Sequence, residues 1–416
     1  MKIPTKISAL ALATTLSVTA IPAANAQLAG LSTSRSTNLQ EATYKQAEVP
    51  CAQAKEVQVE TGAVFSDPLQ NRAGAVAERL CSYFKQADTG STISLAAFVI
   101  SGASGEDYVN ELLAAYQRGV NVQVVIDGWQ ISSAPAARLI DALGTDIKAK
   151  SWVAVCKHES PEGNTSSCQG TKGMHNKFAL FSSVSNERNV VVQSSANVTD
   201  VNHTSYWNNA LTVKGDEKLY RAYKKYHKDL SKMTQDPDYY KEHHSRGEDG
   251  FSVARFFPSG SLDPVSERLS HLDCIANETT IAVGISEWDS TRTAIAEELA
   301  RLSNAGCNVS VVAGPVAPNI SKILNNSQVP LGDLSQTDTT GRIHSKFFVV
   351  DKAYDDSRPN QHGPSSFVFT GSHNYNETSL KRNDEAILEL HNQHVVQQYM
   401  ENTERLWEAT LEAEDS

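Results

Sequence analysis

Ile343-His344-Ser345-Lys346-Phe347-Phe348-Val349-Val350-Asp351 is the stretch from which the fold is read. A histidine and a lysine stand two apart at the head of an apolar run, and Gly371-Ser372-His373-Asn374 follows. An earlier stretch, Met174-His175-Asn176-Lys177-Phe178-Ala179-Leu180-Phe181, repeats the arrangement and leads to Ser194-Ser195-Ala196-Asn197. Residues i and i+2 of a strand share a face. Each His and Lys should therefore project together, with Phe178, Leu180, Phe347 and Val349 turned to a core.

Upstream of each stretch the same elements recur. In the first half, Ala75 to Phe84 reads as a helix, Ile93 to Ile100 as a strand, Gly105 to Arg118 as an amphipathic helix ended by Gly119, and Asn121 to Asp127 as a buried strand. In the second, Glu267-Arg268-Leu269 echoes Glu78-Arg79-Leu80. Thr280 to Ile285 replaces the first strand, Thr291 to Asn304 the helix, and Gly306 the glycine. Strand, helix, strand at this spacing predicts βαβ units with a parallel sheet. Eighteen more residues separate Gly119 from His175 than Gly306 from His344. The surplus coincides with Cys156 to Cys168. A period of about 150–190 residues is too long for a solenoid and predicts two like α/β domains, at 61–230 and 251–416. A polar linker, 231–250, containing His243-His244, joins them. The tail from Asn392 is helical and ends acidic.

Lys2 and Lys6, an uncharged apolar stretch from Ile7 to Ile21 and the small-x-small site Ala24-Asn25-Ala26 predict a signal peptide over residues 1–26. Residues 27–60 read as a loose arm. The expected location is outside the cell, beyond the bacterial envelope. Removing 1–26 takes away two lysines and no acid, leaving the remainder more negative than the formal −11 of the whole chain. That balance counts against a stable nucleic-acid partner, which needs a basic face. Six cysteines in an exported chain point to disulfides. Chain order favours Cys51–Cys81, Cys156–Cys168 and Cys274–Cys307, with other connectivities open.

Two such His–Lys stretches facing one another would supply two imidazoles, two ammonium groups and a rim of hydroxyl and amide donors. One imidazole can attack phosphorus while the other protonates the leaving oxygen, and the cations stabilise the non-bridging oxygens. Fixed cations can stand where a metal would, so neither metal nor cofactor is expected.

The pattern resembles the phospholipase D superfamily, whose signature is His-x-Lys-x-x-x-x-Asp followed by Gly-Ser-x-Asn. The second copy matches in full through His344, Lys346, Asp351, Gly371, Ser372 and Asn374; the first matches through His175, Lys177, Ser195 and Asn197. The resemblance implies two α/β domains of that type with the active site at their interface. It implies catalytic roles for His175, Lys177, His344, Lys346, Asp351, Asn197 and Asn374, and substrate binding by Ser195, Ser372 and Gly371. Ser182 stands where the first motif's Asp would be, and Ser194 where its Gly would be.

After the clusters come Asp384-Glu385-Ala386 and Asn208-Asn209-Ala210. The expectation is that Glu385 supports His344 and that Asn209 supports His175. His175, kept neutral, would then be the nucleophile, as the N-terminal histidine usually is in that superfamily, and His344 the general acid. Asp127-Gly128-Trp129 and Glu287-Trp288 follow strands and could place two tryptophans on the rim of the cleft. The expected activity is hydrolysis of glycerophospholipid head groups by a monomer at a membrane or micelle surface. Alternatives are a secreted nuclease or a catalytically weakened phosphodiester-binding protein.

Overall fold

The computed structural model describes residues 49–414 apart from 244, 247–250, 276, 337–339 and 359–362. The expected signal peptide and most of the expected arm lie outside the described residues. The described first half runs β1 (Gly62–Phe65), α1 (Ala75–Gln86), β2 (Thr92–Ala97), α2 (Gly102–Gln117), β3 (Asn121–Ile126), α3 (Ala134–Leu143), β4 (Trp152–Val155), β5 (Lys177–Val184), β6 (Glu187–Ser194), α4 (Asp200–Thr204), β7 (Asn209–Val213) and α5 (Glu217–Lys232). The second half repeats it: β8 (Ser252–Phe256), α6 (Pro264–Ser270), β9 (Thr280–Ile285), α7 (Thr293–Asn304), β10 (Asn308–Ala313), α8 (Pro318–Asn326), β11 (Leu331–Asp333), β12 (Lys346–Asp355), β13 (Ser365–Gly371), α9 (Glu377–Lys381), β14 (Ala386–Leu390) and α10 (Gln393–Glu414).

The sheet orders are the same, β1-β7-β6-β5-β2-β3-β4 and β8-β14-β13-β12-β9-β10-β11, the second extended by Ser245–Arg246 beside β8. β2, β3 and β4 are parallel, as are β9, β10 and β11. The motif-bearing strands β5 and β12 run antiparallel to β2 and β9. The sheets are thus mixed rather than parallel. The short turn after Val184 can only return the chain as an antiparallel neighbour, and β6 and β7 follow in the same sense.

The alternation of β5 and β12 divides the core. Phe178, Leu180, Phe347 and Val349 are buried in a central layer between the two sheets, which also holds Tyr223 and Tyr226 of α5 and Tyr399 of α10. Ala179 and Phe181 face a second layer beneath α1, α2 and α3; Phe348 and Val350 face its counterpart beneath α6, α7 and α8. Tyr399 meets Phe65 from the first half and Phe347 from the second edge-on, each at 4.9 Å. Tyr399 and Phe347, both fully buried, each stabilise the pairing by about 1.5–3 kcal/mol. Gly119 (φ 90°) and Gly306 (φ 97°) turn the chain from helix into strand at equivalent places, a left-handed conformation that a Cβ would strain.

The three disulfides are Cys51–Cys81, Cys156–Cys168 and Cys274–Cys307. The segment read as a solvated linker is partly built in: α5 runs to Lys232, and Tyr239 and Tyr240 are buried. His244 lies outside the described residues, and the His243 ring lies 4.1 Å from that of Tyr239. Among the described residues no helix is long and apolar enough to cross a membrane.

Candidate active site

Lys177 opens β5 opposite Ala97, and Lys346 opens β12 opposite Ile285. The histidines stand two residues earlier, where the chain enters each strand. Each half holds the other's histidine by its backbone. Met174 bridges to Asp384 across the halves, and Arg342–Ile343 pairs with Tyr206–Trp207. His344 N donates to the Trp207 carbonyl at 2.8 Å.

The side-chain partners also cross. His175 Nδ1 lies 2.8 Å from Glu385 Oε1, and His344 Nδ1 lies 2.9 Å from Asn208 Oδ1. This corrects the sequence reading twice. Glu385 serves the histidine of the other half, and the amide partner is Asn208 rather than Asn209. The register explains the second point: Ser195 N bonds to the Asn209 carbonyl and Ser372 N to that of Ala386, so Asn208 and Glu385 are the equivalent pair. Asn209 instead ties the halves together, donating to Thr370 Oγ1 at 2.7 Å and Tyr399 OH at 2.9 Å. In each pair the Nδ1–H donates to the oxygen, which leaves Nε2 with its lone pair directed away from the anchor.

Lys177 Nζ donates to the His175 carbonyl at 2.7 Å, and Lys346 Nζ donates to that of His344. The two imidazoles and two amines act on one another. Burial, then the Lys346, Lys177 and His175 charges, hold the His344 pKa well below its ordinary value. Burial and the Lys177 charge hold Lys346 well below its own. Burial brings Lys177 down to about 7 against the pull of Glu385 and Asp127. Burial likewise lowers His175, with Glu385 opposing it. Burial would raise Glu385, but the His175 charge and hydrogen bond and the Lys177 charge keep it ionised, down to about 2. Among the described residues Glu385 is the carboxylate hydrogen-bonded to this cluster, with Asp127 and Glu287 acting on the lysines without a bond to them, and an anion placed among the four groups would relieve the repulsion.

Several expected residues lie elsewhere. Asp351 sits five residues along β12 from Lys346, about 16 Å at strand rise, and accepts hydrogen bonds from Ser366 and Gln393. It is outside the site. Its counterpart Ser182 accepts from Thr92 N at 2.8 Å, equally far down β5. Ser195 and Ser372 are fully buried and not exposed to a substrate; their hydroxyls donate to Asn208 Oδ1 and Glu385 Oε2 and so fix the histidines' partners. Gly371 has a structural part: a Cβ there would lie 2.1 Å from the Ala386 carbonyl, and the glycine permits that close pairing. Asn197 and Asn374 are only half-buried, their side-chain oxygens have no protein partner, and Asn197 lines one cavity with Lys177.

Of the two expected rim tryptophans, Trp129 is 52% exposed, whereas Trp288 is buried edge-on against Tyr375 at 5.1 Å. His203, read as a loop residue, is buried in α4. His373 is buried 4.5 Å from the ring of Phe257.

Two contacts escape the motif reading. Phe98 meets the His175 ring at 4.7 Å and lies 5.0 Å below Lys177 Nζ. Tyr206 stacks on His344 at 5.5 Å. Phe98 is the residue just past β2 and Tyr206 falls two before Asn208, so strand ends and the Asn208 position would have been the signals to follow. Among the described residues, Cys156, Cys168 and Asp384 form the one grouping with metal-ligand spacing; its two sulfurs are joined in a disulfide and are not thiolates.

Residues 80–233 and again 272–407 match the family described as cardiolipin synthase, PLD-like domain. The chain belongs to the phospholipase D superfamily. It is a phosphodiesterase-type member, with the duplicated α/β architecture that the two matches span. Among solved structures, phosphatidylserine synthase from Haemophilus influenzae Rd KW20 superposes with a TM-score of 0.58 at 11% identity, covering 86% of this chain and 90% of that one. Polyphosphate kinase from Porphyromonas gingivalis superposes with a TM-score of 0.52 at 12% identity. The alignment covers 84% of this chain, which spans only half the length of that kinase. At such identities the likeness is one of fold. Comparison with curated protein sequences finds no match.

Proposed function

We propose that the chain is an exported phospholipase D, hydrolysing the head-group ester of glycerophospholipids through a phosphohistidine. The observation that carries this reading is the pair of crossed anchors, which hold two imidazoles by Nδ1 in one cluster with two lysines.

In the first step His175 Nε2 bonds to phosphorus, the phosphorus–oxygen bond to the leaving alcohol breaks, and His344 Nε2–H gives that oxygen its proton. In the second, His344 takes a proton from water, the water oxygen bonds to phosphorus, and His175 leaves. An alcohol in place of water gives head-group exchange. Lys177 and Lys346, with the Asn197 and Asn374 amides, balance the charge on the non-bridging oxygens.

The roles rest on new ground. By protonation alone the carboxylate-backed His175 would be the acid and His344 the nucleophile. The intermediate argues the other way, because an N-phosphorylated imidazole carries positive charge at the ring, and Glu385 faces that charge. His344, backed by an amide among cations, releases a proton readily once the substrate anion has drawn one in.

A lipid surface is favoured over nucleic acid by the acidic balance of the chain. Exposed apolar residues also follow the strand ends of the first half: Trp129 and Ile131 after β3, and Val201 in α4 beyond Asn197. The disulfides suit an oxidising compartment. Choline release from phosphatidylcholine vesicles, compared in EDTA with cleavage of DNA and of a small diester, tests the reading. Lipid turnover lost in His175→Ala and in His344→Ala supports it. DNA cleavage without lipid cleavage would establish the nuclease instead, and no turnover of any diester would leave a binding protein.

A further inference from the structure

The eighteen-residue surplus of the first half is not needed by the fold, since the second half completes the same sheet without it. It forms a hairpin, His158–Glu159 with Ser166–Ser167, closed by Cys156–Cys168. Its backbone from Cys168 to Gly173 lies along residues 382–384 of the opposite half. The Asp384 carboxylate accepts the N–H groups of Cys168, Gln169 and Gly170 at 2.6, 3.1 and 2.7 Å. The Arg382 carbonyl accepts those of Thr171 and Lys172 at 2.8 and 3.0 Å, and Asp384 N donates to the Gly173 carbonyl at 2.9 Å. A Cβ on Gly170 would come within 2.1 Å of the Arg382 oxygen, so glycine is required for this approach.

The held segment ends at the group that anchors His175. Asn383 Oδ1 accepts Gly173 N at 3.1 Å, and Asn383 Nδ2 donates at 3.1 Å to Glu385 Oε1, the same oxygen that meets His175 Nδ1. The base of the loop is fixed at the other end by Asp127, which accepts Ser166 N at 2.8 Å and Met174 N at 3.0 Å, next to His175 itself. Outside, Arg382 grips Glu162 through both nitrogens at 2.9 and 3.1 Å. We propose that the Cys156–Cys168 loop is a clasp that sets where Glu385 stands, with Asp384 its anchor and a positioning residue for His175. The proposal rests on the phosphodiesterase reading of the site.

A fully buried carboxylate is a costly way to join two segments, and apolar packing would give cohesion more cheaply. Burial raises Asp384 to about 7 even against three N–H donors. What a carboxylate adds is direction: three converging donors fix the position of its backbone. Reacting groups tolerate misplacement of about half an ångström, and an error of about 1 Å can cost a hundredfold in rate.

The test uses the full chain as Asp384→Asn and, separately, as Cys156→Ser with Cys168→Ser. Both are assayed on whichever diester the wild type cleaves, and both are followed by ¹⁵N spectra of the His175 ring, assigned with His175→Gln. The clasp predicts kcat reduced roughly tenfold to hundredfold, as outer partners of an oriented histidine are worth, KM within about twofold, and a displaced or exchange-broadened Nδ1–H signal. Folded variants with wild-type kcat and an unaltered ring signal would overturn it, as would an effect confined to KM. Should Asp384→Asn not fold, the cysteine pair decides by the same criteria. Absence of wild-type turnover would defeat the functional reading alone, because the ring spectrum still reports on the clasp.

Discussion

Glu385 and Asn208 occupy equivalent places after their clusters, yet each serves the histidine of the other half. The sequence shows both residues and both histidines. It does not show that the halves exchange them, because local order says nothing of which partner a strand end faces across an interface. The one-place error over Asn209 has the same origin: two adjacent amides look alike until the register assigns one to the site and one to the interior. Strand rise alone puts Asp351 about 16 Å along β12 from Lys346, at mid-strand and away from the site. Asp351→Ala should therefore leave kcat within about twofold, costing about 1 kcal/mol of stability from its lost hydrogen bonds, checked by parallel kinetics and urea titration. Asn208→Asp makes the opposite prediction. A carboxylate beside His344 raises its pKa, so the acid form persists to higher pH and the alkaline limb of kcat should move up by about one unit. An unchanged limb would remove His344 from the general-acid role.

The strands and helices were legible because their apolar periods are regular and because the chain states each of them twice. Gly119 and Gly306 fix both helix-to-strand turns, and the paired His–Lys runs enter equivalent strands. The mixed sense of the sheets was less visible, since an apolar run buried on both faces reads alike in parallel and antiparallel pairings. The seam between the sheets is polar at one point. Asn209, from β7, donates to Thr370 and Tyr399 across it, and its Oδ1 accepts Lys346 N at 3.4 Å. Asn209→Leu removes these buried hydrogen bonds, leaving Thr370 only its bond to the Lys346 carbonyl and its contact with Tyr399, and should destabilise the protein by about 1–3 kcal/mol, read from the urea midpoint. A neutral effect would show that the seam depends on its aromatic packing alone.

For the whole molecule, the buried lysines predict how stability follows pH. Lys177 titrates at about 7 in the folded chain against an ordinary 10.5. Between those values the unfolded chain binds a proton that the folded chain does not, so stability rises with pH through that window. Lys346 contributes with the same sign. Asp384 and Asp127, raised to about 7 and about 6, have the opposite slope but only below pH 7. The ligand-free Tm should accordingly climb less from pH 7 to pH 9 in Lys177→Met than in the wild type, and less in wild type saturated with phosphate. Equal slopes in all three would mean that burial does not hold the Lys177 ammonium below its ordinary range. In the proposed mechanism one histidine accepts the phosphoryl group, and the charge argument assigns it to His175. Quenching a turnover of phosphorus-labelled diester and mapping the modified peptide tests that directly. The label should lie on His175 and vanish in His175→Ala; label on His344, or on neither histidine while turnover proceeds, would contradict the account.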